Sequence, residues 1–393
     1  MRVVVVGGCG HVGLPLAVVL ADRGHQVVSF DIDSDVVKRV NAAEAPFMEP
    51  GLDDLLSRTR TSGAFVATDD PASIAAADIV IVVIGTPVDD HLNPDPSTVV
   101  NALAQCAPHM SDDQLIVLRS TIYPGVTQRV EQMLRDRGLS AQVVFCPERI
   151  AEGFAVKELT SLPQIVGGRD PAAIARAEAL FSSIGISTVV VTPEEAELAK
   201  LFTNTWRYIK FAAANQFWLM ANEAGVDYTR VRHAITFEYP RAADVPGAGF
   251  AAGPCLFKDT MQLAAFTNNN FVLGHSAMLV NEGLPLYVVD RVSQRFDIGS
   301  MTVGILGMAF KSESDDARSS LSYKLKRILR FRAREVLTTD PYVTSDSSLL
   351  PLEDVVSRAD LLIIGAPHRA YAELASDVPV IDIWNLRGEG SLI

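Results

Sequence analysis

The chain has 393 residues, 48% hydrophobic and 21% charged, a size and balance that call for two or three folded domains and exclude a disordered protein. Its formal net charge of −13 speaks against general affinity for nucleic acid or an anionic membrane surface. A small phosphorylated ligand held by a few local cations stays compatible with that charge.

Taken in chain order, MRVVVVG predicts a first strand, GLPLAVVLADRG a helix and QVVSFDID a second strand. DIVIVVIG, QLIVLRS, AQVVFCP, LPQIVGG and ISTVVVT continue the strands, separated by helical patterns or loops, to about Pro193. Runs such as VVVV (3–6) and IVIVVIG (79–85) fall far short of the ~18 residues of a membrane span and read as strands buried on both faces. Over residues 194–225 strand signals stop, and Leu198, Leu201, Phe202, Thr205 and Ile209 recur at helical spacing. Phe217, Leu219 and Met220 prolong the apolar content, so one long helix is expected. A second helical region covers about 259–296, after which MTVGILG, REVLTTD, DLLIIGAP and VPVIDIW resume the alternation. The expected fold class is α/β: two Rossmann-like, doubly wound parallel-sheet domains joined by a long central helix and helical connector. The expected boundaries are 1–193, 194–297 and 298–393.

Met1 leads directly into a strand, which leaves no space for a signal peptide. Cys9, Cys106, Cys146 and Cys255 are scattered without CxxC spacing, so neither a disulfide framework nor a metal site is expected. A reducing cytoplasm is the expected compartment.

Directly after the first strand comes Gly8-Cys9-Gly10-His11-Val12-Gly13, followed by a helix and, at the end of the second strand, Asp31. Glycines let backbone approach a pyrophosphate, and the helix N-terminus attracts its charge. Asp31 lies 18 residues beyond Gly13, near the distance expected for a carboxylate on the adenosine ribose. That carboxylate would repel a 2′-phosphate, so NAD is favoured over NADP. A plain glycine turn with a solvated aspartate is the weaker reading, because strand, loop, helix and acid occur together. Cys9 reads as packing, and His11 as a backbone contact only. Thr86-Pro87 and Ser120-Thr121 each end a strand, where doubly wound sheets place their ligands. Either threonine fits the cofactor cleft or a turn.

In GFAAGPCLFKDT (249–260), Cys255 precedes a helical stretch. A helix N-terminus and a lysine one turn later, Lys258, both favour the thiolate. Asp259 fits a base or a water ligand. Alone, Cys255 is more often packing than nucleophile. Beside a nicotinamide, however, a thiol has a specific use: it captures an aldehyde as a thiohemiacetal, which loses hydride to give a thioester that water cleaves.

The stretches GCGHVGLPLA, FDID, MEPGL, GTPVD, RSTIYPG, CPERIAEG, KLFTNTWRYIKFAAANQF, GPCLFKDT, LGMAFKSESDDARSS and DPYV occur in an order that resembles the UDP-glucose/GDP-mannose dehydrogenase family over nearly the whole chain. The resemblance implies an NAD-binding domain, a UDP-binding domain and a long dimerising helix between them, hence a homodimer. It implies an NAD-dependent UDP-sugar 6-dehydrogenase that carries the C6 alcohol to the carboxylate with two NAD. Cys255 would be the nucleophile, set with Lys258 and Asp259. Lys200 and Asn204 would donate to the developing oxyanion and a catalytic water. Glu148 would serve as general base or position a water, Glu152 would contact NAD, and Thr121 would assist the chemistry. Lys311 and Arg318 would meet the UDP phosphate and the NAD phosphate respectively, and Arg241 would reach the substrate. Without the resemblance, Lys200 and Asn204 read as an exposed helix face, Glu148 and Glu152 as a solvated loop, and Lys311 and Arg318 as partners of Asp315 or Asp316.

Departures from the family pattern are Phe250-Ala251-Ala252 ahead of Gly253, Phe257 between cysteine and lysine, Val36 and Gln216. PERIAEG, in place of the PEFLREG usual in glucose-type relatives, is closer to the branch acting on UDP-N-acetylhexosamines. The rival readings are an oxidoreductase or epimerase with a single or reversible hydride transfer, and a catalytically silent nucleotide-sugar-binding protein.

Overall fold

The computed structural model describes residues 1–86 and 95–393; Pro87 and the remainder of GTPVD lie outside them. The chain forms two compact units, Met1–Thr203 and Asn204–Ile393, with the division inside one continuous helix.

In the first unit β1 (Arg2–Val6), α1 (Gly13–Asp22), β2 (Gln26–Phe30), α2 (Ser34–Asn41), α3 (Leu52–Thr61) and β3 (Phe65–Thr68) are followed by β4 (Ile79–Val82), α4 (Ser97–Cys106), β5 (Leu115–Leu118) and α5 (Val126–Asp136). Then come β6 (Gln142–Phe145), the short α6 (Ala155–Glu158), β7 (Gln164–Gly167), α7 (Pro171–Ser183), β8 (Thr188–Val191) and the start of α8 (Pro193–Glu223). The sheet order is β3-β2-β1-β4-β5-β6-β7-β8. Successive residues of the apolar strands enter opposite cores. Val3, Val5, Ile79, Ile81, Leu115 and Val117 pack on one face with α1 and α7 residues such as Leu16 and Phe181. Val4, Val6, Val80, Val82, Ile116 and Leu118 pack on the other with Leu103 and Val130 of α4 and α5. That is why these strands read as continuous apolar runs.

Two features depart from the sequence reading. β3, a four-residue strand with one exposed valine, extends the sheet beyond β2. β7 meets β6 antiparallel, through Phe145 and Gly167. The connection between them, residues 146–163, holds only the four-residue α6 in place of the full helix usual in a crossover to a parallel neighbour.

The second unit continues α8 and adds α9 (Tyr228–Thr236), α10 (Leu256–Phe266) and α11 (Val272–Arg295). β9 (Thr302–Leu306), α12 (Leu321–Leu329), β10 (Glu335–Thr339), α13 (Leu352–Arg358), β11 (Leu361–Ile364) and β12 (Val380–Ile381) complete it. Its sheet has the order β10-β9-β11-β12, parallel throughout. The helical region expected over 259–296 is two helices, broken where Asn268 and Asn269 take left-handed backbone angles (φ 53° and 60°), a conformation asparagine tolerates better than most residues. Among the described residues no helix is long and apolar enough to cross a membrane.

Candidate active site

The strand order sets the loops after β2, β1, β4 and β5 side by side at one sheet edge, with the strand order reversing at β1. The glycine loop follows β1. A Cβ on Gly8 would lie 2.6 Å from Ser29 Oγ and from the Val5 carbonyl, and one on Gly13 would lie 2.5 Å from the Gly7 carbonyl. Those two glycines are dictated by protein packing. At Gly10 the nearest atom is 3.9 Å away, so that stretch of backbone is open to a ligand. Asp33, Asp170, Asp227 and Ser320 cap α2, α7, α9 and α12 with their side chains, whereas Val12 gives α1 no side-chain cap. The α1 N-terminus therefore keeps N–H groups for a phosphate.

Asp31 stands beside this loop, its Oδ2 accepting from the Cys9 amide at 3.1 Å. The residues present thus fit NAD: an approachable backbone, an open helix N-terminus and a carboxylate where a ribose would bind. Cys9 is buried, and that burial, with Asp31 and Asp33 adding, pushes its thiol up to about 12, so it is packing as the sequence suggested. Thr86 and Thr121 follow β4 and β5, and Ser120 Oγ between them accepts from the Ile84 amide at 2.8 Å.

Glu148 and Glu152 follow β6. Glu148 is buried, not solvated, and forms an ion pair with the equally buried Arg119 of the RSTIYPG stretch. Its Oε1 accepts from the amides of Arg149 (2.6 Å) and Ile150 (2.8 Å). Arg119 in turn donates to Gln164 Oε1 at 2.8 Å and to the Cys146 carbonyl at 3.3 Å. Glu152 Oε1 lies 3.5 Å from Nδ1 of His11, whose ring stacks on Phe47 at 4.0 Å. The His11 side chain, silent in the sequence reading, thus links the glycine loop to Glu152. Glu49 of MEPGL accepts from the amides of Gly153 (2.7 Å) and Ala155 (2.8 Å), pinning the same loop.

α8 buries Leu201, Tyr208 and Trp218 as expected, but it also buries polar residues and exposes large apolar ones. Glu197, Lys200, Asn204 and Thr205 are buried, while Phe202 (53%), Trp206 (58%), Phe217 (47%) and Met220 (60%) are exposed. Lys200 and Asn204 are therefore not a solvated face. Glu197 accepts from the Gly125 and Thr127 amides (2.7 and 2.9 Å) at the start of α5, just beyond Thr121.

In the second unit Cys255 is the N-cap residue of α10 and is exposed, whereas Cys9, Cys106 and Cys146 are buried. Asp259, one turn later and fully buried, pairs with Lys258 Nζ at 3.2 Å and accepts from Asn204 Nδ2 at 2.6 Å. The strap ahead of the cysteine is clamped by Asn215, which donates to the Gly249 carbonyl (3.0 Å) and accepts from its amide (2.9 Å). Asn281 backs it by accepting from Asn215 Nδ2 at 2.9 Å. A Cβ on Gly253 would fall 2.7 Å from the Phe310 ring, and Phe310 leads into Lys311. Lys311 Nζ lies 5.5 Å from the centroid of that ring. Arg318, more than half exposed, is forked onto Asp316 at 2.6–2.9 Å, the local pairing considered from sequence. Arg241 is exposed in the turn region after α9.

The motif stretches RSTIYPG, MEPGL and DPYV contain Arg119, Glu49 and Asp340 but give them no role from sequence, and Glu197 and His368 fall outside any motif. A lone charged residue in an apolar stretch marks Arg119 in LIVLRSTI and Glu49 in PFMEPGL, whereas Glu197 in PEEAELAK and His368 beside Arg369 carry no such mark.

Comparison with known proteins agrees with this arrangement. Models of three domains of the UDP-glucose/GDP-mannose dehydrogenase family match: the NAD binding domain at residues 1–185, the central domain at 194–282 and the UDP binding domain at 304–388. The UDP-N-acetyl-D-mannosamine dehydrogenase of Pyrococcus horikoshii is 33% identical over 386 residues, spanning 94% of this chain and 90% of that protein. The NDP-N-acetyl-D-galactosaminuronic acid dehydrogenase of Ralstonia nicotianae is 28% identical over 400 residues, spanning 96% and 93%. Among solved structures, a UDP-glucose dehydrogenase from Pyrobaculum islandicum superposes with a TM-score of 0.92 at 27% identity, covering 98% of this chain and 94% of its own. An open glycine loop beside a ribose-type carboxylate, an exposed thiol at a helix N-terminus and full-length likeness to these enzymes converge: the chain belongs to the UDP-glucose/GDP-mannose dehydrogenase family and is an NAD-dependent dehydrogenase.

Proposed function

We propose that the protein oxidises the C6 alcohol of a UDP-N-acetylhexosamine to the carboxylate, with two NAD per sugar and Cys255 as the covalent nucleophile. The observation that carries the reading is Cys255: the one exposed thiol among the four cysteines, at the N-terminus of α10, above the Lys258–Asp259–Asn204 cluster. NAD, when bound, supplies the hydride acceptor. The alcohol first loses a hydride and a proton to become an aldehyde. The Cys255 thiolate then adds to the aldehyde carbon, forming a C–S bond. A second hydride leaves that carbon, giving a thioester, and water breaks the C–S bond to release carboxylate and thiol. The helix N-terminus favours the attacking thiolate.

Lys200 and Asn204 are assigned to donation toward the developing oxyanion and water, and Thr121 to assistance at the cofactor. Glu148 already accepts from two amides and pairs with Arg119, which suits a fixed carboxylate that positions a water better than a shuttling base. Gly8, Gly10, His11, Val12, Gly13, Asp31, Thr86, Glu152 and Arg318 are assigned to NAD, and Glu148, Lys200, Asn204, Arg241 and Lys311 to the UDP-sugar. The N-acetylhexosamine preference rests on PERIAEG and on the names of the Pyrococcus and Ralstonia relatives.

The working form is a homodimer in this reading, since the exposed stripe of Phe202, Trp206, Phe217 and Met220 along α8 needs an apolar partner. Equilibrium sedimentation of Trp206→Glu checks it, with monomers expected. NADH counted per sugar in a panel of UDP-hexoses and UDP-N-acetylhexosamines tests the chemistry. Two NADH per acid is expected; one per aldehyde, or none, returns the assignment to a single or reversible hydride transfer.

A further inference from the structure

One buried cluster of the second unit is used by none of the roles above, yet it is organised around the loop that carries Lys311. That loop, residues 307–320, follows β9. β10 and β11 flank β9 in the sheet, and each contributes one residue just beyond its end: Asp340 and His368.

His368 is fully buried, and its two ring nitrogens have different duties. Nδ1 accepts from the Glu313 amide at 3.0 Å, so Nδ1 carries no proton. The proton of the neutral ring then sits on Nε2, which donates to Asp340 Oδ2 at 3.1 Å. Asp340 also accepts from the amides of Met308 (2.6 Å) and Ala309 (2.9 Å) at the start of the loop, and of Tyr342 (2.8 Å) and Val343 (3.0 Å). The rings of Tyr342 and Tyr371 enclose the imidazole, with centroids 5.1 and 5.7 Å away.

Glu313 is held in a conformation it would not choose alone. Its φ is +53°, in the left-handed region that disfavours residues with a Cβ. Three contacts keep it there: the His368 bond to its amide, and acceptance by its carboxylate from the Arg369 amide and the Tyr342 hydroxyl, both at 2.9 Å. Lys311 is two residues before this clamp. Asp316, whose carbonyl accepts from the Phe310 amide at 2.9 Å, closes the loop three residues after it. All of these residues lie within the stretch matched by the family's UDP binding domain.

We infer that the Asp340–His368–Glu313 chain is a positioning device for nucleoside diphosphate: it fixes the 308–316 loop in the strained form that presents Lys311 to the phosphates. His368 touches no reacting atom in this scheme and is a positioning residue. The inference rests on the reading of Lys311 as the UDP-phosphate residue.

The test uses the full chain and UDP as the probe, with calorimetry for UDP and steady-state kinetics for the sugar. Asparagine at 368 places an amide oxygen near the position of Nδ1 and can still accept from Glu313. Glutamine reaches toward Asp340 but leaves the Glu313 amide without its acceptor. H368N should keep UDP affinity within about threefold, while H368Q should lose about tenfold. KM for the UDP-sugar should rise with that loss, with kcat and NAD affinity near wild type. Wild-type UDP affinity in H368Q, or a fall in kcat at unchanged KM, would overturn the proposal. Should H368Q fail to fold, Tyr342→Phe loosens the same clamp from the carboxylate side: about threefold weaker UDP binding is expected, and no change refutes the device. Lys311→Ala separates the two levels. If it leaves UDP binding intact, the phosphate assignment is what fails; if it abolishes binding while H368Q does not weaken it, only the positioning role fails.

Discussion

The side-chain amide of Asn204 on α8 donates to Asp259 on α10 across 2.6 Å, and this carboxylate is sealed from solvent. Lys258 is the charge partner at 3.2 Å, and Asn204 supplies a neutral donor. Asn204→Ala leaves a buried carboxylate oxygen short of a hydrogen bond, which costs about 1–3 kcal/mol. Urea unfolding should show that loss together with a drop in turnover; a variant as stable as wild type would mean that another donor serves Asp259.

The thiols should differ sharply in reactivity. Burial pushes Cys146 up to about 12 and Cys9 likewise, and raises Cys106, while Cys255 is exposed at a helix start. Iodoacetamide at neutral pH, followed by peptide mass spectrometry, should label Cys255 first and the others only on unfolding. Cys255→Ala should abolish acid formation and leave NAD binding unchanged; acid production at near wild-type rate would end the thioester scheme.

Asp31 addresses cofactor choice. Its carboxylate stands against the glycine loop through the Cys9 amide, where a 2′-phosphate would meet like charge. Asp31→Asn keeps one acceptor and removes the charge, so NAD should bind about tenfold more weakly and NADP more tightly. Fluorescence titration with both nucleotides decides it, and an unaltered NAD/NADP ratio would place the ribose elsewhere.

Acid stability should depend on Asp340. Burial pushes its carboxyl up, but the hydrogen bonds from His368 and from the Tyr342, Val343 and Ala309 amides outweigh it and hold the group at about 2. The folded-state value lies below the unfolded one, so the stabilisation is present in full above about pH 4 and is lost as pH falls through about 2, a change of about 2 kcal/mol. Thermal melts from pH 5 to pH 2 should show this loss in the wild type and a flatter profile in Asp340→Asn. Parallel profiles would mean that the carboxylate is not the titrating element.

Much of the fold was legible because the signals were local. The apolar strands announce burial on both faces, the glycine spacing follows β1 directly, and the α8 periodicity spans the whole helix. What escaped was set by distant partners. β7 runs antiparallel to β6 after a connection, residues 146–163, that holds no full crossover helix, and the residues of β7 itself do not show that direction. Lys200 and Asn204 look like a solvated face because helical spacing shows which residues share a side, not which side turns inward. Arg119 and Glu148 are 29 positions apart, and His368 and Asp340 are 28, so only the sheet that aligns their strand ends brings each pair together.

Gly253 has no side chain because the Phe310 ring fills that space, and its amide donates to the Ser319 carbonyl at 3.4 Å. The segment leading to the sulfur therefore leans on both ends of the 307–320 loop that carries Lys311. If Cys255 and Lys311 hold the roles proposed for them, gripping the nucleotide and aiming the nucleophile are one mechanical event, and a sugar stripped of its UDP should forfeit alignment as well as affinity. Added UDP should accordingly change the alkylation rate of Cys255, and an unchanged rate would show that the two segments move independently.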